Sequence, residues 1–217
     1  MKVFLPKIGH VKAIVHREVT GVIKTVTVSR DPSGSYFASI LTENGLEAPA
    51  ESFDGKILGI DVGLTDLAVT SDGSKFNNPK HLRQAQKNLA RKQQHLSRKA
   101  KGSNTRNKAR LLVAKAHERV TNARQDYLHK LSTRLVNENQ VIAVEDLHVK
   151  GMMKYHKLSR AIVDAGWCSF TIMLKYKTER AGKGYIKMNR FFASSKTCLC
   201  MLTCASTNAF RNKNVDL

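Results

Sequence analysis

Two short apolar runs, each followed by an acidic residue, constrain the fold of this chain most strongly. Residues 57–60 precede Asp61, and residues 141–144 precede Glu145. Apolar runs of this length between turn signals are typical of buried strands. Parallel neighbouring strands need a long crossover connection, and the segment between the two runs is long enough to supply one. The sequence therefore predicts an α/β fold, and if the two strands are parallel neighbours, their terminal carboxylates lie close enough to share metal ions.

The segment between the two runs is strongly basic and has helical periodicity. Residues 75–140 contain 17 Lys and Arg and three acids, a net charge of +14 within a chain of net charge +20. Apolar residues recur every three to four positions on both sides of a break at Gly102, Ser103 and Asn104. The pattern predicts two antiparallel helices that pack on each other and leave their basic faces outward.

A charge concentrated in one segment is typical of a nucleic-acid-binding protein. A solubilising face, or a patch for an anionic membrane, would carry a similar charge. The helical spacing, which is not that of a low-complexity segment, favours nucleic acid over both. The basic residues that we expect to contact phosphates are Lys87, Arg91, Lys92, Arg98, Lys99, Arg106, Lys108 and Arg110.

Asp61 and Glu145 are the candidate catalytic residues. Hard divalent cations prefer oxygen ligands, and two-metal phosphoryl chemistry places Mg²⁺ ions about 3.5–4 Å apart to activate water and stabilise the leaving oxygen. The alternative is that both acids cap loops or pair with Lys and Arg. Asp66, Asp72 and Asp146 are weaker candidates, because Asp72 has a turn sequence and Asp146 would point away from Glu145.

Shorter elements flank this predicted core. Two β-rich runs around an Asp-Pro-Ser-Gly turn predict a hairpin over residues 22–41, with no element before it. Residues 158–181 are predicted as one helix, in which Trp167 and Phe170 lie on an apolar ridge and are expected in the core. Residues 185–192 are predicted as a strand.

Several sequence blocks together resemble the TnpB/OrfB proteins encoded by insertion sequences. The blocks are Gly-Ile-Asp-Val-Gly-Leu at 59–64, Leu-Ala-Val-Thr-Ser-Asp-Gly at 67–73, Glu-Asp-Leu at 145–147, Ala-Ile-Val-Asp-Ala-Gly-Trp at 161–167 and Ser-Ser-Lys-Thr-Cys at 194–198. They occur in the order of that family, and the resemblance covers about residues 1–198.

The resemblance implies an RNase H-like (RuvC-like) core at residues 53–197, with a basic helical insertion at about 79–139. Part of a β-barrel domain would precede it at residues 1–52. It also implies RNA-guided DNA cleavage linked to transposition, with DNA and a guide-type RNA as partners. Asp61 and Glu145 would then be the first two catalytic acids and the ligands of Mg²⁺ or Mn²⁺.

The chain departs from the family pattern where a four-cysteine zinc ribbon is expected. Cys198, Cys200 and Cys204 have an unusual C-x-C spacing and no later cysteine or histidine, which favours free thiols over the Zn²⁺ site of the family. Asp216 is the only later acid, so a third catalytic acid is hard to assign. We expect residues 198–217 to be an aberrant tail, and the chain to be a catalytically impaired internal piece of a family member.

No run approaches the ~20 apolar residues that a membrane span needs, and the first residues do not resemble a signal peptide. We therefore expect a cytoplasmic protein with no membrane partner. Three hypotheses about function follow. The chain is a residual Mg²⁺-dependent DNA endonuclease, a catalytically inactive nucleic-acid-binding protein, or a basic helical RNA- or DNA-binding protein whose carboxylates are incidental.

Overall fold

The computed structural model of the chain describes residues 2–15, 18–47 and 49–188, with two compact units. Unit 1 comprises Met1–Pro49 and His81–Gln125, and unit 2 comprises Ala50–Lys80 and Asp126–Leu217. Within the described ranges, no helix is long and apolar enough to cross a membrane.

Two separate antiparallel hairpins open unit 1. Strand β1 (Lys2–Leu5) pairs with β2 (Gly9–Lys12), and β3 (Val22–Arg30) pairs with β4 (Tyr36–Glu43). The second pair confirms the predicted hairpin. The expectation of no earlier element was wrong, because β1 and β2 are four residues each, too short for alternation to stand out in the sequence. Whether these hairpins belong to a β-barrel stays a prediction.

The predicted helical hairpin is present as α1 (His81–Ser97) and α2 (Asn104–Glu138). Its first part lies in unit 1, where buried residues of α1 and α2 pack on each other as the apolar stripes indicated. The buried residues of this cluster are Leu89, Ala116 and Val120, with Leu82 and Ala85 packed against them.

The break between α1 and α2 has a clear local cause. Gly102 has φ +82°, which glycine adopts without a Cβ penalty. The backbone amide of Arg106 donates to Ser103 Oγ at 3.2 Å, so Ser103 is the N-cap of α2.

Unit 2 is built on a five-stranded sheet in the order β7-β6-β5-β8-β9. Strands β5, β8 and β9 are parallel, whereas β6 and β7 run antiparallel at one edge. The strands are β5 (Ile57–Val62), β6 (Asp66–Thr70), β7 (Lys75–Asn77), β8 (Val141–Glu145) and β9 (Gly184–Met188). The predicted strand at 185–192 is confirmed as far as Met188, and its last residues lie outside the described ranges.

One face of this sheet is covered by helices. The covering helices are the C-terminal part of α2, helix α4 (His156–Ala165) and helix α5 (Trp167–Arg180). The short helix α3 (Val149–Met152) precedes α4 in the chain. Trp167 and Phe170 are 3% and 0% exposed, which confirms that both are core residues. The mixed α/β architecture agrees with the predicted fold class.

The prediction of a single helix over 158–181 was wrong. Gly166 has φ 71° and ψ 33°, a left-handed conformation that ends α4 and precedes α5. A glycine within an apolar helical pattern is compatible with continuation, so the sequence did not reveal the break. Because of the break, Trp167 is the first residue of a new helix.

Candidate metal centre and nucleic-acid surface

The parallel pairing of β5 with β8 brings the two candidate carboxylates onto neighbouring strands. Ile57 pairs with Val141, and the register continues to Ile60 with Val144. Asp61 and Glu145 are the next residue on each strand. Neighbouring strands lie about 4.8 Å apart, and side chains at the same level of parallel strands point to the same face. The register therefore puts Asp61 and Glu145 at adjacent positions of neighbouring strands, and a metal site shared by their carboxylates stays a prediction.

Both carboxylates lie on the face of the sheet that is opposite to the core. Asp61 is exposed and Glu145 is half-buried, whereas the residues that alternate with them are buried in the core. Strand alternation thus explains why these positions are accessible to ions and substrates. The buried residues on the other face are Leu58, Ile60, Val62, Ile142 and Val144.

Neither carboxylate has an internal counter-charge in the described part of the chain. The side chains of Asp61 and Glu145 make no hydrogen bond or ion pair with any described residue. Like charges directly beside each other on neighbouring strands repel. The alternative that these acids pair with Lys or Arg is therefore not seen in the described residues, and the pair is left available for an external cation.

Two of the other acids near the sheet, Asp72 and Asp146, have local partners. Asp72 accepts hydrogen bonds from Thr70 Oγ1 and from the Ser74 backbone amide, and these bonds lower the pKa of Asp72 to about 2. Asp146 forms an ion pair with Lys187 at 2.7 Å. Asp72 and Asp146 are two of the three weaker candidates that the sequence indicated. Within the described residues, no group of three or more His, Cys, Asp or Glu could hold a metal ion together.

The turn after Asp61 is held by hydrogen bonds from two other elements. Trp167 Nε1 donates to the Gly63 carbonyl at 3.1 Å, and Asn78 Nδ2 donates to the Leu64 carbonyl at 3.0 Å. Sequence reasoning missed both contacts. Trp167 was expected to be a core residue only, and Asn78 has no local pattern that distinguishes it from an ordinary loop residue.

The basic residues predicted to contact nucleic acid lie on the helical hairpin of unit 1. Three of the predicted set are half-buried, namely Lys92, Lys99 and Arg106. Lys87 and Arg91 also line an open groove of about 670 Å³ on α1, with Gln93 and Gln94. The exposed members of the set are Lys87, Arg91, Arg98, Lys108 and Arg110. Their contact with phosphates stays a prediction.

Arg106 has a structural role that the sequence did not reveal. Its Nη1 donates to the Leu96 carbonyl at 3.2 Å and to the Lys99 carbonyl at 2.9 Å. These carbonyls belong to the end of α1 and the residues after it, which have no intrahelical partners. The guanidinium therefore holds the connection between the two helices, so its charge is less available to a phosphate than that of Lys108 or Arg110.

The predicted tail lies outside the described residues. Cys198, Cys200, Cys204 and Asp216 all belong to it, so the choice between free thiols and a Zn²⁺ site stays a prediction. Cys168 is a free, exposed cysteine on α5.

Two family models match the chain. The model OrfB_IS605, described as "Probable transposase", matches residues 22–164. A second model, described as "Cas12f1-like, TNB domain", matches residues 167–215 and so includes most of the predicted tail. The first match covers both candidate carboxylates and the whole helical hairpin.

Curated relatives carry the name "Putative RNA-guided DNA endonuclease". One from Streptomyces pristinaespiralis is 49% identical over 175 residues, which is 80% of this chain and 43% of that protein. InsQ from Escherichia coli (strain K12) is 33% identical over 227 residues, 98% of this chain and 56% of that protein. One from Mycobacterium tuberculosis (strain CDC 1551 / Oshkosh) is 34% identical over 152 residues, 65% of this chain and 33% of that protein. The chain thus spans about half or less of the length of these relatives.

Proposed function

The chain belongs to the TnpB/OrfB family of transposon proteins, and on this premise we propose that it is a nucleic-acid-binding protein related to RNA-guided DNA endonucleases. The observation that carries the proposal is the register of β5 and β8, which sets Asp61 beside Glu145 on an accessible face without internal partners. DNA and a guide-type RNA are its proposed partners.

Mg²⁺ or Mn²⁺ is the proposed cofactor, with Asp61 and Glu145 as its protein ligands. The donor set supports this choice. Mg²⁺ is usually held by one or two carboxylates together with waters and substrate phosphates, and it does not require an all-protein cage. When bound, such an ion supplies activation of water and stabilisation of charge on a phosphate oxygen. The chain contributes the rigid base, because each carboxylate stands on a strand whose alternate residues are buried.

The helical hairpin is the proposed nucleic-acid surface. Residues 75–140 carry a net charge of +14, and many of the exposed lysines and arginines in this segment lie on α1 and the first part of α2. Such residues neutralise phosphates of any sequence and release counterions. In this proposal the hairpin supplies affinity, and target choice comes from the guide-type RNA.

Cleavage by this chain is expected to be slow. In the described residues the site offers two carboxylates, enough to bind one ion loosely. Two-ion chemistry needs both ions held about 3.5–4 Å apart. Loss of even one electrostatic stabiliser from a preorganised site costs about 10²–10³ in rate. We therefore propose that the chain binds DNA and RNA while its endonuclease activity is impaired.

The decisive experiment measures metal binding and cleavage in the same samples. The chain, the variant Asp61→Asn/Glu145→Gln and a control variant Asp72→Asn are titrated with Mn²⁺, followed by electron paramagnetic resonance. Each is then incubated with guide RNA, Mg²⁺ and matching DNA. We expect Mn²⁺ binding in the chain and the control, its loss in the double variant, and bound but intact DNA.

Two results would overturn parts of this proposal. Mn²⁺ binding that survives the double substitution would refute the metal site and favour the alternative of a basic helical RNA- or DNA-binding protein with incidental carboxylates. Rapid cleavage that requires Asp61 would show that a further ligand completes the site, so the impairment would be refuted while the metal site stood.

A further inference from the structure

Within the described residues, the direction of the Asp61 carboxylate is set by its backbone and not by a hydrogen bond to its side chain. Its side chain makes no hydrogen bond to a described residue, in contrast to metal ligands that are held by direct hydrogen bonds from neighbouring groups. Its direction therefore depends on how firmly β5 and the turn that follows are fixed. Only Val62 separates Asp61 from that turn.

The turn between β5 and β6 is fixed at three points. The Gly63 amide donates to the Leu67 carbonyl at 3.2 Å, which closes the turn itself. The Gly63 carbonyl accepts from Trp167 Nε1 on α5, and the Leu64 carbonyl accepts from Asn78 Nδ2 after β7. A Cβ on Gly63 would stand 2.9 Å from the Asp66 carbonyl oxygen, so the turn is also too tight for a side chain there.

Trp167 reaches this turn because the helix pair is broken at Gly166. The left-handed Gly166 makes Trp167 the first residue of α5, and its indole is 3% exposed within the core cluster. A buried indole N–H usually finds a partner. Here the partner is a backbone carbonyl that lies 104 residues earlier in the chain.

We propose that Trp167 is a positioning residue for the metal centre, acting by locking the Gly63 carbonyl and thereby the direction of Asp61. Asn78 holds the next peptide of the same turn and shares this role. The inference rests on the proposed function, because it assumes that Asp61 binds a cation. It extends that function because a residue on the helix-covered face of the sheet helps to fix the direction of the Asp61 carboxylate.

The test uses variants of the whole chain. Trp167→Phe keeps an aromatic ring but removes the N–H donor. Thr178→Val is the matched control, since it removes another buried side-chain donor on the same helix, one that bonds to the Leu174 carbonyl at 3.0 Å. Mn²⁺ affinity is measured by electron paramagnetic resonance, and exchange of the Gly63 amide is measured by nuclear magnetic resonance.

We expect Trp167→Phe to weaken Mn²⁺ binding by about 3–10-fold, less than the 10–100-fold typical when a direct partner of a ligand is lost. We expect exchange of the Gly63 amide to accelerate by about tenfold, since a local opening that needs less free energy exposes the amide more often. The control Thr178→Val should change neither. Should Trp167→Phe not fold, Asn78→Ala removes the second hydrogen bond and should shift both readouts in the same direction.

The outcomes separate this inference from the proposed function. Wild-type affinity and wild-type Gly63 exchange in Trp167→Phe would overturn the positioning role, while the loss of Mn²⁺ binding in Asp61→Asn/Glu145→Gln would still support the site. Equal weakening in Thr178→Val would also overturn it, because the effect would then be general destabilisation. If the unaltered chain binds no Mn²⁺ through Asp61 and Glu145, the proposed function itself fails.

Discussion

Seventeen buried apolar residues of unit 2 form one contiguous cluster, whereas the buried cluster of unit 1 consists of Leu89, Ala116 and Val120. The hairpin of β3 and β4 adds large apolar side chains to unit 1, but they are exposed. Phe37, for example, is 51% exposed and Leu41 is 63% exposed. Most of the apolar area that stabilises the described chain is therefore buried in unit 2.

This difference matches the roles that we propose for the two units. A cation between two carboxylates needs ligands held with precision by packed neighbours, and unit 2 supplies a sheet with one face buried. Electrostatic attraction to a phosphate backbone falls off gradually and tolerates movement, so basic helices with a small buried cluster are sufficient in unit 1. On these proposals, a metal site that depends on geometry lies in unit 2, and a nucleic-acid surface that depends on charge lies in unit 1.

The largest expected effect of a single substitution is in the core of unit 2. Phe170→Ala should lower the free energy of unfolding by about 3–5 kcal/mol, because a fully buried phenyl ring is lost and a cavity remains. Urea unfolding followed by the fluorescence of Trp167, the only tryptophan, reports on this unit directly.

The matched substitution in unit 1 is Phe37→Ala. Its side chain is half exposed on β4, so the cost should stay within about 0.5 kcal/mol, as for ordinary surface changes. A loss comparable to that of Phe170→Ala would show that unit 1 buries more than this comparison allows.

The second prediction concerns charge. Alanine at four exposed positions of the helical hairpin should lower affinity for nucleic acid by roughly 10²-fold at 0.15 M salt, since each lost phosphate contact removes about 0.7–0.9 from the salt slope. The effect should be similar for unrelated sequences, and gel-shift titrations at several salt concentrations measure it. The four positions are Lys87, Arg91, Lys108 and Arg110.

An equal change of charge in unit 2 is the control for that prediction. Four of the exposed basic residues of unit 2 serve for this control, namely Lys75, Arg160, Lys175 and Arg180. Their replacement should leave most of the affinity and the salt slope in place. If both sets weaken binding equally, or if binding does not depend on salt, the hairpin is an ordinary solvated surface.

The elements that the sequence predicted correctly are those whose patterns lie in neighbouring residues. The apolar runs before Asp61 and Glu145 predicted two buried strands, and these strand ends together with the family resemblance predicted that the two carboxylates converge. Apolar residues that recur every three to four positions over a long segment predicted α1 and α2. Each of these signals is carried by residues that are close together in the chain.

The features that it missed depend on contacts between distant segments. The left-handed Gly166 cannot be told from a helical glycine without the packing of α4 and α5. Trp167 and Gly63 are 104 residues apart in the sequence, so no local sequence pattern predicts their hydrogen bond. The sequence placed Arg106 among the phosphate-binding residues. Its carbonyl acceptors at Leu96 and Lys99 come close to it only when the turn between α1 and α2 forms.

The third prediction tests the structural role of Arg106. Arg106→Ala should destabilise the helical hairpin by about 1 kcal/mol, because carbonyls at the end of α1 lose a charged donor that is partly exposed to solvent. Arg110→Ala, which changes an exposed residue on the same helix, should cost less than 0.5 kcal/mol. Thermal unfolding followed by circular dichroism at 222 nm distinguishes the two.

Lysine at the same position separates charge from geometry. Arg106→Lys keeps the positive charge but lacks the planar guanidinium, so it should restore little of the lost stability. Full recovery with lysine would indicate that charge alone matters at this position, and Arg106 would return to the phosphate-binding set.

The smallest expected effect compares turn acids of the two units at low pH. In unit 2, the hydrogen bonds from Thr70 and Ser74 hold the pKa of Asp72 at about 2, below the ordinary value of 3.8 for an aspartate. A carboxyl whose pKa is lowered on folding adds stability above the unfolded pKa and loses it as the pH falls through the folded pKa. The contribution of Asp72 is therefore present above about pH 4 and disappears as the pH falls to about 2.

Asp72→Asn should flatten the stability curve between pH 4 and pH 2, measured as the thermal midpoint at intervals of half a pH unit. The change should be small, because Asp72 is fully exposed to solvent. Asp31 occupies the turn between β3 and β4 in unit 1, and its side chain accepts no hydrogen bond from a described residue. Asp31→Asn should therefore leave the curve unchanged. Equal flattening in both variants would mean that acid sensitivity does not arise from the hydrogen bonds of the unit 2 turn.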